Sequence, residues 1–467
     1  MTTVNQRMAA LWMGYGSRFL PFADVATPDL PLGRLLRLSL IQVSVGMALV
    51  LLVGTLNRVM IVELGVSAAL VGAMIALPLL FAPFRALIGF RSDTHQSELG
   101  WRRVPYIWRG TMIQFGGLAI MPFALIVLSG ANNAADAPAW IGPSAAALAF
   151  LLVGAGLHIT QTVGLALATD LVPAESHPRM VGLMYVMLLV GSIVSALVFG
   201  ALLEDYSHGR LVQVIQGSAV VTVALNLLAL WKQETRNPRR GRPYEPPAKF
   251  KAAWKGFIRA PGTARRLAAV GIGSLAFSMM DILLEPYGGQ VLGMAVGATT
   301  SLTATLATGS LFGFGIASYV LSRGEDPFRM ASYGALVGIP AFVLVMLAAP
   351  LHNTQMFTVG VALIGFGAGL FAHGTLTATI ALAPRAQVGL ALGAWGAVQA
   401  SAAGLGAALG GTLRDLVRIS GAFSNTASSP ESPGYMAVFA LEVVLLLWAL
   451  AAMHPLLRGR EGGRPAR

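Results

Sequence analysis

Ionisable side chains inside long apolar runs are where this chain could do chemistry, because each costs free energy to place in hydrocarbon. Asp281 and Glu285 stand four residues apart in one such run, a spacing that puts both on one face of a helix. Glu285 precedes Pro286 close to the end of the run and reads as a wetted helix terminus. Asp281 is deeper; a carboxyl there can hold a proton, pair with a base, or serve as a hydrogen-bonding structural acid. Arg85 lies about a turn inside the end of an earlier run. It either snorkels to the headgroups or pairs within the bundle, and Asp170 sits at a matching depth. Glu442, in the last apolar run, has no partner nearby in sequence. Asn57-Arg58, ahead of Glu63, reads as a plain helix end, with a surface ion cluster or an outer gate as the alternatives.

Two histidines offer a different chemistry. His158 and His373 each sit in an apolar run, and Gln161 lies one turn beyond His158 and shares its face. A neutral imidazole can accept or donate a proton, hydrogen-bond a neighbouring helix, or ligate magnesium in a chlorin. A lone helix histidine is more often structural than a ligand, and these two are weighed against that background.

The elements that must position these groups are membrane spans. Only 11% of the 467 residues are charged and 55% are hydrophobic, against roughly 25% charged in soluble domains. The chain is therefore expected to be a polytopic, all-α membrane protein. Twelve runs supply the approximately 20 apolar residues that a crossing needs: 35–57, 67–90, 104–129, 142–168, 180–203, 212–231, 267–285, 296–321, 329–350, 355–382, 387–413 and 435–457. Pro286, Gly288 and Gly289 interrupt the end of the seventh. With the N-terminus inside, the inside segments carry 26 of the 32 basic residues, and the outside loops carry only Arg58, Arg210, Arg414 and Arg418. That asymmetry predicts cytoplasmic termini and an even number of spans. The net charge of +12 then belongs to loops facing an anionic leaflet rather than to a nucleic-acid partner. There are no cysteines, which excludes a disulfide framework, a thiolate nucleophile and an iron–sulfur site. No cleavable signal peptide is expected, because residues 1–33 are mixed and proline-containing and the first apolar run is long enough to span.

The expected organisation is a cytoplasmic segment 1–34, a six-helix bundle 35–231, a basic linker 232–266, a second six-helix bundle 267–457 and a tail 458–467. Within the linker, Phe250, Trp254, Phe257 and Ile258 form one stripe flanked by Lys249, Lys251, Lys255 and Arg259, which suits a helix lying at the headgroups. Local repeats support two related halves. Gly154-Ala-Gly-Leu157 leads to His158 in span four, and Gly367-Ala-Gly-Leu370 leads to His373 in span ten. Val181-Gly-Leu183 and Val388-Gly-Leu390 open spans five and eleven. The chain has no P-loop, HExxH, dinucleotide fingerprint or nucleophile elbow in suitable context, so an enzyme is not expected.

Between spans two and three lies a polar loop with Gly89, Arg91, Asp93, Gly100, Arg102 and Arg103. This layout resembles the major facilitator superfamily. More specifically, Leu20-Pro-Phe-Ala-Asp24, Leu56-Asn-Arg-Val-Met-Ile-Val-Glu-Leu64, Phe84-Arg-Ala-Leu-Ile-Gly-Phe-Arg-Ser-Asp-Thr-His95 and Gly100-Trp-Arg-Arg-Val-Pro-Tyr106 are similar to the PucC/LhaA, or bacteriochlorophyll-delivery, branch from purple phototrophic bacteria. The loop departs from the general superfamily pattern: Thr94-His95 replaces the usual basic residue after Asp93.

The resemblance implies a factor for light-harvesting antenna assembly in the bacterial inner, intracytoplasmic membrane. It would bind bacteriochlorophyll as a carried ligand, with no required cofactor and no intrinsic metal site, and hand it to antenna polypeptides. Pigment-synthesis or insertion machinery and membrane lipid are the further implied partners. His158 or His373 would give the pigment magnesium a transient axial ligand, with Gln161 beside the first. The rival expectation is a proton-coupled solute transporter, with Asp281 as its protonation site and Arg85, Asp170 and Glu285 as gating charges.

Overall fold

The computed structural model describes residues 30–81, 88, 92, 100–129, 138, 140–173, 177–234, 258–259, 262–382, 388–421 and 430–461. Among these residues the fold is all-helical. The helices, in chain order, are α1 (Leu32–Leu49), α2 (Ala68–Ala76), α3 (Val104–Leu128), α4 (Ile141–Asp170), α5 (His177–Leu202) and α6 (His208–Leu230). The second half contains α7 (Thr263–Ser278), α8 (Leu284–Gln290), α9 (Val296–Ser322), α10 (Pro327–Ala348), α11 (Thr354–Leu382), α12 (Val388–Ser420) and α13 (Ser432–Glu461).

Ten helical stretches among the described residues are long and apolar enough to cross a membrane. The short apolar α2 and the glycine- and alanine-rich α12, at 33 residues, bring the crossings to the expected twelve. Side chains such as Phe123, Phe312 and Trp448 are more than three-fifths exposed. In a bundle whose surround is hydrocarbon they face lipid.

Helix starts are written locally. Ser67 accepts from the N–H of Leu70 at the head of α2, and Ser207 accepts from Arg210 at the head of α6. Asp326 accepts from Phe328 and Arg329 ahead of α10, where Pro327 occupies the first helical position.

Two crossings differ from expectation. The first does not end at residue 57. Two π-helical segments, Val50–Leu56 and Val59–Glu63, carry it on. Asn57 and Arg58 are therefore buried helix residues, not a helix end or a loop. The seventh crossing breaks earlier than its proline and glycines suggest. A 3-10 turn, Met279–Ile282, separates α7 from α8, while Pro286, Gly288 and Gly289 lie within α8. Tyr287 anchors α8: its ring lies 5.4 Å from those of Phe357, Tyr435 and Phe439, and its hydroxyl donates to the Val345 carbonyl at 3.2 Å. The headgroup helix expected in the linker lies outside the described residues, apart from Ile258 and Arg259, which are helical and exposed.

α1–α6 form one half and α7–α13 the other. They meet where α2 packs on α12, α5 on α9, and the π-helical end of the first crossing on the broken seventh.

Candidate functional site

At the end of the bundle where α1 begins, the charges serve one half. Asp170, the last residue of α4, is held by the guanidinium of Arg102 and, at 3.0 Å, by Nε of Arg103. Arg103 also donates to Ser92 Oγ at 2.6 Å. The Glu234 carboxylate accepts from the backbone N–H groups of Arg102 (2.8 Å), Arg103 (3.0 Å) and Val104 (2.9 Å). An acid at a helix N-terminus also suits the helix dipole. Arg34 donates to the Gln233 carbonyl (2.8 Å) and Arg37 to the Trp231 carbonyl (2.8 Å). The ends of α1, α3, α4 and α6 are thereby tied together. Gly100, Arg102 and Arg103 belong to this arrangement, and Gly100 adopts a left-handed φ of 76°. Arg85, Gly89, Arg91 and Asp93 lie outside the described residues, and the described partners of Asp170 are Arg102 and Arg103.

At the opposite end the charges join the halves. Arg414, 3% exposed, donates to Asp415 (2.7 Å), Gln290 (2.6 Å) and Glu431 (2.6 Å), and lies over the Tyr435 ring. Tyr435 donates to the same Gln290 oxygen at 2.6 Å. The second oxygen of Asp415 then crosses to the other half, accepting from the N–H of Ala69 at the head of α2 (2.8 Å). Arg58, 4% exposed, is paired with Glu63 and reaches across to the Met294 carbonyl at 3.3 Å. Asn57 donates to the Ile282 carbonyl, inside the broken segment, at 2.9 Å. Tyr206, in the loop before α6, feels Glu63 and Arg58; burial first and Glu63 second push its phenol above the ordinary value, while Arg58 opposes them.

Where side chains do not join the halves, backbones touch. A Cβ at Gly411 would strike the Ala68 carbonyl, one at Gly72 the Ala407 carbonyl, and one at Gly297 the Gly200 carbonyl. Together these contacts make a seam along one end of the interface.

The carboxylates of the seventh crossing sit beside this seam. Glu285 is not a wetted terminus. It is 3% exposed, accepts from Thr303 of α9, and packs against Gly54 of the first crossing. The 3-10 break places Asp281 and Glu285 on separate helical segments, so the helical spacing argument no longer puts them on one face. Asp281 instead lies within electrostatic reach of Glu442, which α13 buries completely.

His158 is 8% exposed and Gln161 is 9% exposed on α4. They follow Gly154 by four and seven residues, on the stripe that packs against Pro78 beyond α2. His373 lies in the other half, with its ring 4.1 Å from that of Phe314 on α9. The two histidines are not equivalent positions of a repeat. His158 stands four residues after the first glycine of its motif and His373 six, a difference of about 200° around a helix.

Sequence reasoning passed over Arg414 and Asp415, which it assigned to a loop. Their signal was apolar sequence on both sides: Gly411-Thr-Leu before them and Leu416-Val417 after. It also passed over Gln42 and Gln114, both fully buried, whose amide atoms have no hydrogen-bond partner. Asn226, likewise unremarked, accepts from Ser44 (2.8 Å) and donates to Thr111 (2.9 Å), linking α6 to α1 and α3.

Comparison with known proteins places this architecture. The family model described as "PUCC protein" matches residues 55–461. The chain is 63% identical over 420 residues to "Protein PucC" of Rhodovulum sulfidophilum, covering 89% of this chain and 92% of that protein. At 27% identity it is similar to the "Bacteriochlorophyll synthase 44.5 kDa chain" of Rhodobacter capsulatus, over 92% of this chain and 97% of that one. Among solved structures it resembles a bacterial homologue of the human lysosomal transporter Spinster in an inward-facing, unoccupied conformation. That match has a TM-score of 0.69 at 16% identity and covers 93% of this chain and 98% of the other. At such identity the likeness concerns the fold, that of major-facilitator-like transporters.

Proposed function

The chain belongs to the PUCC protein family, and on that premise we propose that it assists assembly of light-harvesting antenna complexes by binding bacteriochlorophyll and delivering it to antenna polypeptides. Its place is the inner, intracytoplasmic membrane of a phototrophic bacterium, with both termini in the cytoplasm. The observation that carries the reading is the His158–Gln161 stripe of α4: an imidazole and an amide buried one turn apart on a single helix. A neutral imidazole is a suitable axial ligand for the magnesium of a chlorin. The amide offers a hydrogen bond to a ring substituent, and the surrounding apolar helices suit the pigment's tail. A distant relative whose name ties it to bacteriochlorophyll synthesis supports the same pigment chemistry. The basic end of the bundle, facing an anionic leaflet, is suited to acidic segments of partner proteins and to anionic lipid.

The reading is tested in cells. Deleting the gene should abolish antenna absorbance while leaving pigment synthesis intact, and antenna polypeptides should co-purify with the restored protein in mild detergent. Full antenna in the deletion strain contradicts it.

A second reading, a proton-coupled solute transporter, is favoured by one feature: Asp281 lies at a break in a crossing helix, a common setting for ion sites in transporters. Solute flux driven by a proton gradient in reconstituted vesicles, abolished by Asp281→Asn, would support it over pigment delivery.

A further inference from the structure

The geometry points to a seam that stays shut throughout the protein's working cycle, so that cargo enters and leaves without passing between the halves at that end. The inference rests on the pigment-carrying reading. A pigment made in the bilayer and used in the bilayer has no need to reach the far side.

Three kinds of contact close the seam, and each uses different atoms. The first is charge: the Arg414 group ends in Asp415, whose carboxylate both holds Arg414 and accepts from the head of α2 in the other half. The second is side chain to backbone, from Asn57 to Ile282 and from Arg58 to Met294. The third is bare backbone packing at Gly411, Gly72 and Gly297, where no Cβ would fit. The packing continues down the second crossing as far as Leu79, which lies against Gly404 of α12. From Ala68 to Leu79 is about 16 Å of helix, half the thickness of a hydrocarbon core. A thin lip could hinge open alone. This seam opens only if the hydrogen bonds that Asp415, Asn57 and Arg58 make to backbone groups of the opposite half and a long glycine contact all break in one motion.

The absence of native cysteine makes the test direct. A Cβ on Gly289 would lie 3.3 Å from the Val62 side chain, and one on Gly404 would lie 3.1 Å from Leu79 Cβ. The Leu79 distance is near the roughly 3.5–4.5 Å found between disulfide Cβ atoms, and the Val62 distance runs to its Cγ2, a position a cysteine sulfur can take. The variants Val62→Cys/Gly289→Cys and Leu79→Cys/Gly404→Cys therefore pin the seam at two depths. The expected result is that a bridge forms on mild oxidation and cells carrying the bridged protein lose no antenna absorbance. Loss of antenna on oxidation with recovery on reduction overturns the proposal, and so does failure of both pairs to bridge.

A third variant does not depend on bridging. Ala407→Cys places one thiol in the buried seam. It should resist a membrane-impermeant maleimide in cells actively assembling antenna, and labelling there overturns the proposal even if neither pair folds well. Failure of the pigment reading looks different: the purified protein would be colourless whether bridged or reduced.

Discussion

Asp170 and Asp415 are both aspartates beside buried arginines at helix ends, yet they do different work. Asp170 gathers Arg102 and Arg103, so that α3 and α4 of one half close on each other. Asp415 gathers Arg414 in its own half and the head of α2 in the other. Their surroundings differ in the same sense. Asp170 is about one-third exposed, whereas Asp415 and Arg414 are both nearly sealed from their surroundings. One cluster builds a bundle; the other builds the contact between two bundles. Charge placement thus separates the stability of a half from the relation between halves, and the two can be disturbed independently.

Substitutions at the two clusters should show that separation. Arg414→Ala leaves Asp415 buried without its base and removes the donor to Gln290 and Glu431. Breaking a buried pair from one side costs about 3–5 kcal/mol, so this variant should unfold at a much lower temperature in detergent than the parent chain. Arg414→Lys, which keeps the charge but loses the planar fork, should recover only part of the difference.

Gly411→Ala drives a methyl into the Ala68 carbonyl and should cost about 1–3 kcal/mol through overpacking. Its effect should also appear as faster proteolysis or cysteine labelling at the seam. Gly217, on an exposed face of α6, has nothing within 4 Å of its would-be Cβ. Gly217→Ala should therefore be neutral or stabilising by up to about 1 kcal/mol.

Asp170→Asn keeps an acceptor for Arg103 but removes the charge from a partly wetted site, at a cost of about 1–2 kcal/mol. It should lower thermal stability without exposing a cysteine placed at Ala407. Exposure of that cysteine would show that the two clusters are coupled after all. The smallest effect is expected at Glu325, whose pair with Arg329 is 3.9 Å long and half exposed. Glu325→Ala should leave the melting temperature unchanged within error.

Much of the architecture could be read from apolar run length, because a crossing must satisfy its own backbone hydrogen bonds and helices do so over about 20 residues. The seam could not be read that way. Asp415 meets Ala69 across 346 positions of chain, and no local spacing encodes such a pairing. Arg414 looked like loop because charge normally marks the end of a crossing. Here the helix continues to Ser420 because Gln290, Glu431 and Asp415 satisfy the guanidinium inside the protein. The π-helical continuation to Glu63 has no composition of its own, so Arg58 was placed outside. The break at Met279–Ile282 carries neither glycine nor proline, and Asn57 of the other half supports it.

The histidine motifs mislead in another way. The glycines of both Gly-Ala-Gly-Leu motifs are close helix contacts, Gly156 of α4 against Gly110 of α3 and Gly367 of α11 against Gly334 of α10, but the first is the second glycine of its motif and the other the first. The repeat therefore records helix packing, and the histidines that follow it point to different neighbours. Their roles must be separated by experiment: His158→Ala and His373→Ala are expected to differ in effect, with the larger loss at His158.

The central claim is that the protein carries bacteriochlorophyll, and the absorption spectrum of the chain purified in mild detergent from phototrophically grown cells tests it most directly. The account predicts a stoichiometric bacteriochlorophyll band that is weakened by His158→Ala and lost in the His158→Ala/His373→Ala double variant. A folded, colourless protein that nonetheless restores antenna to a deletion strain would contradict it.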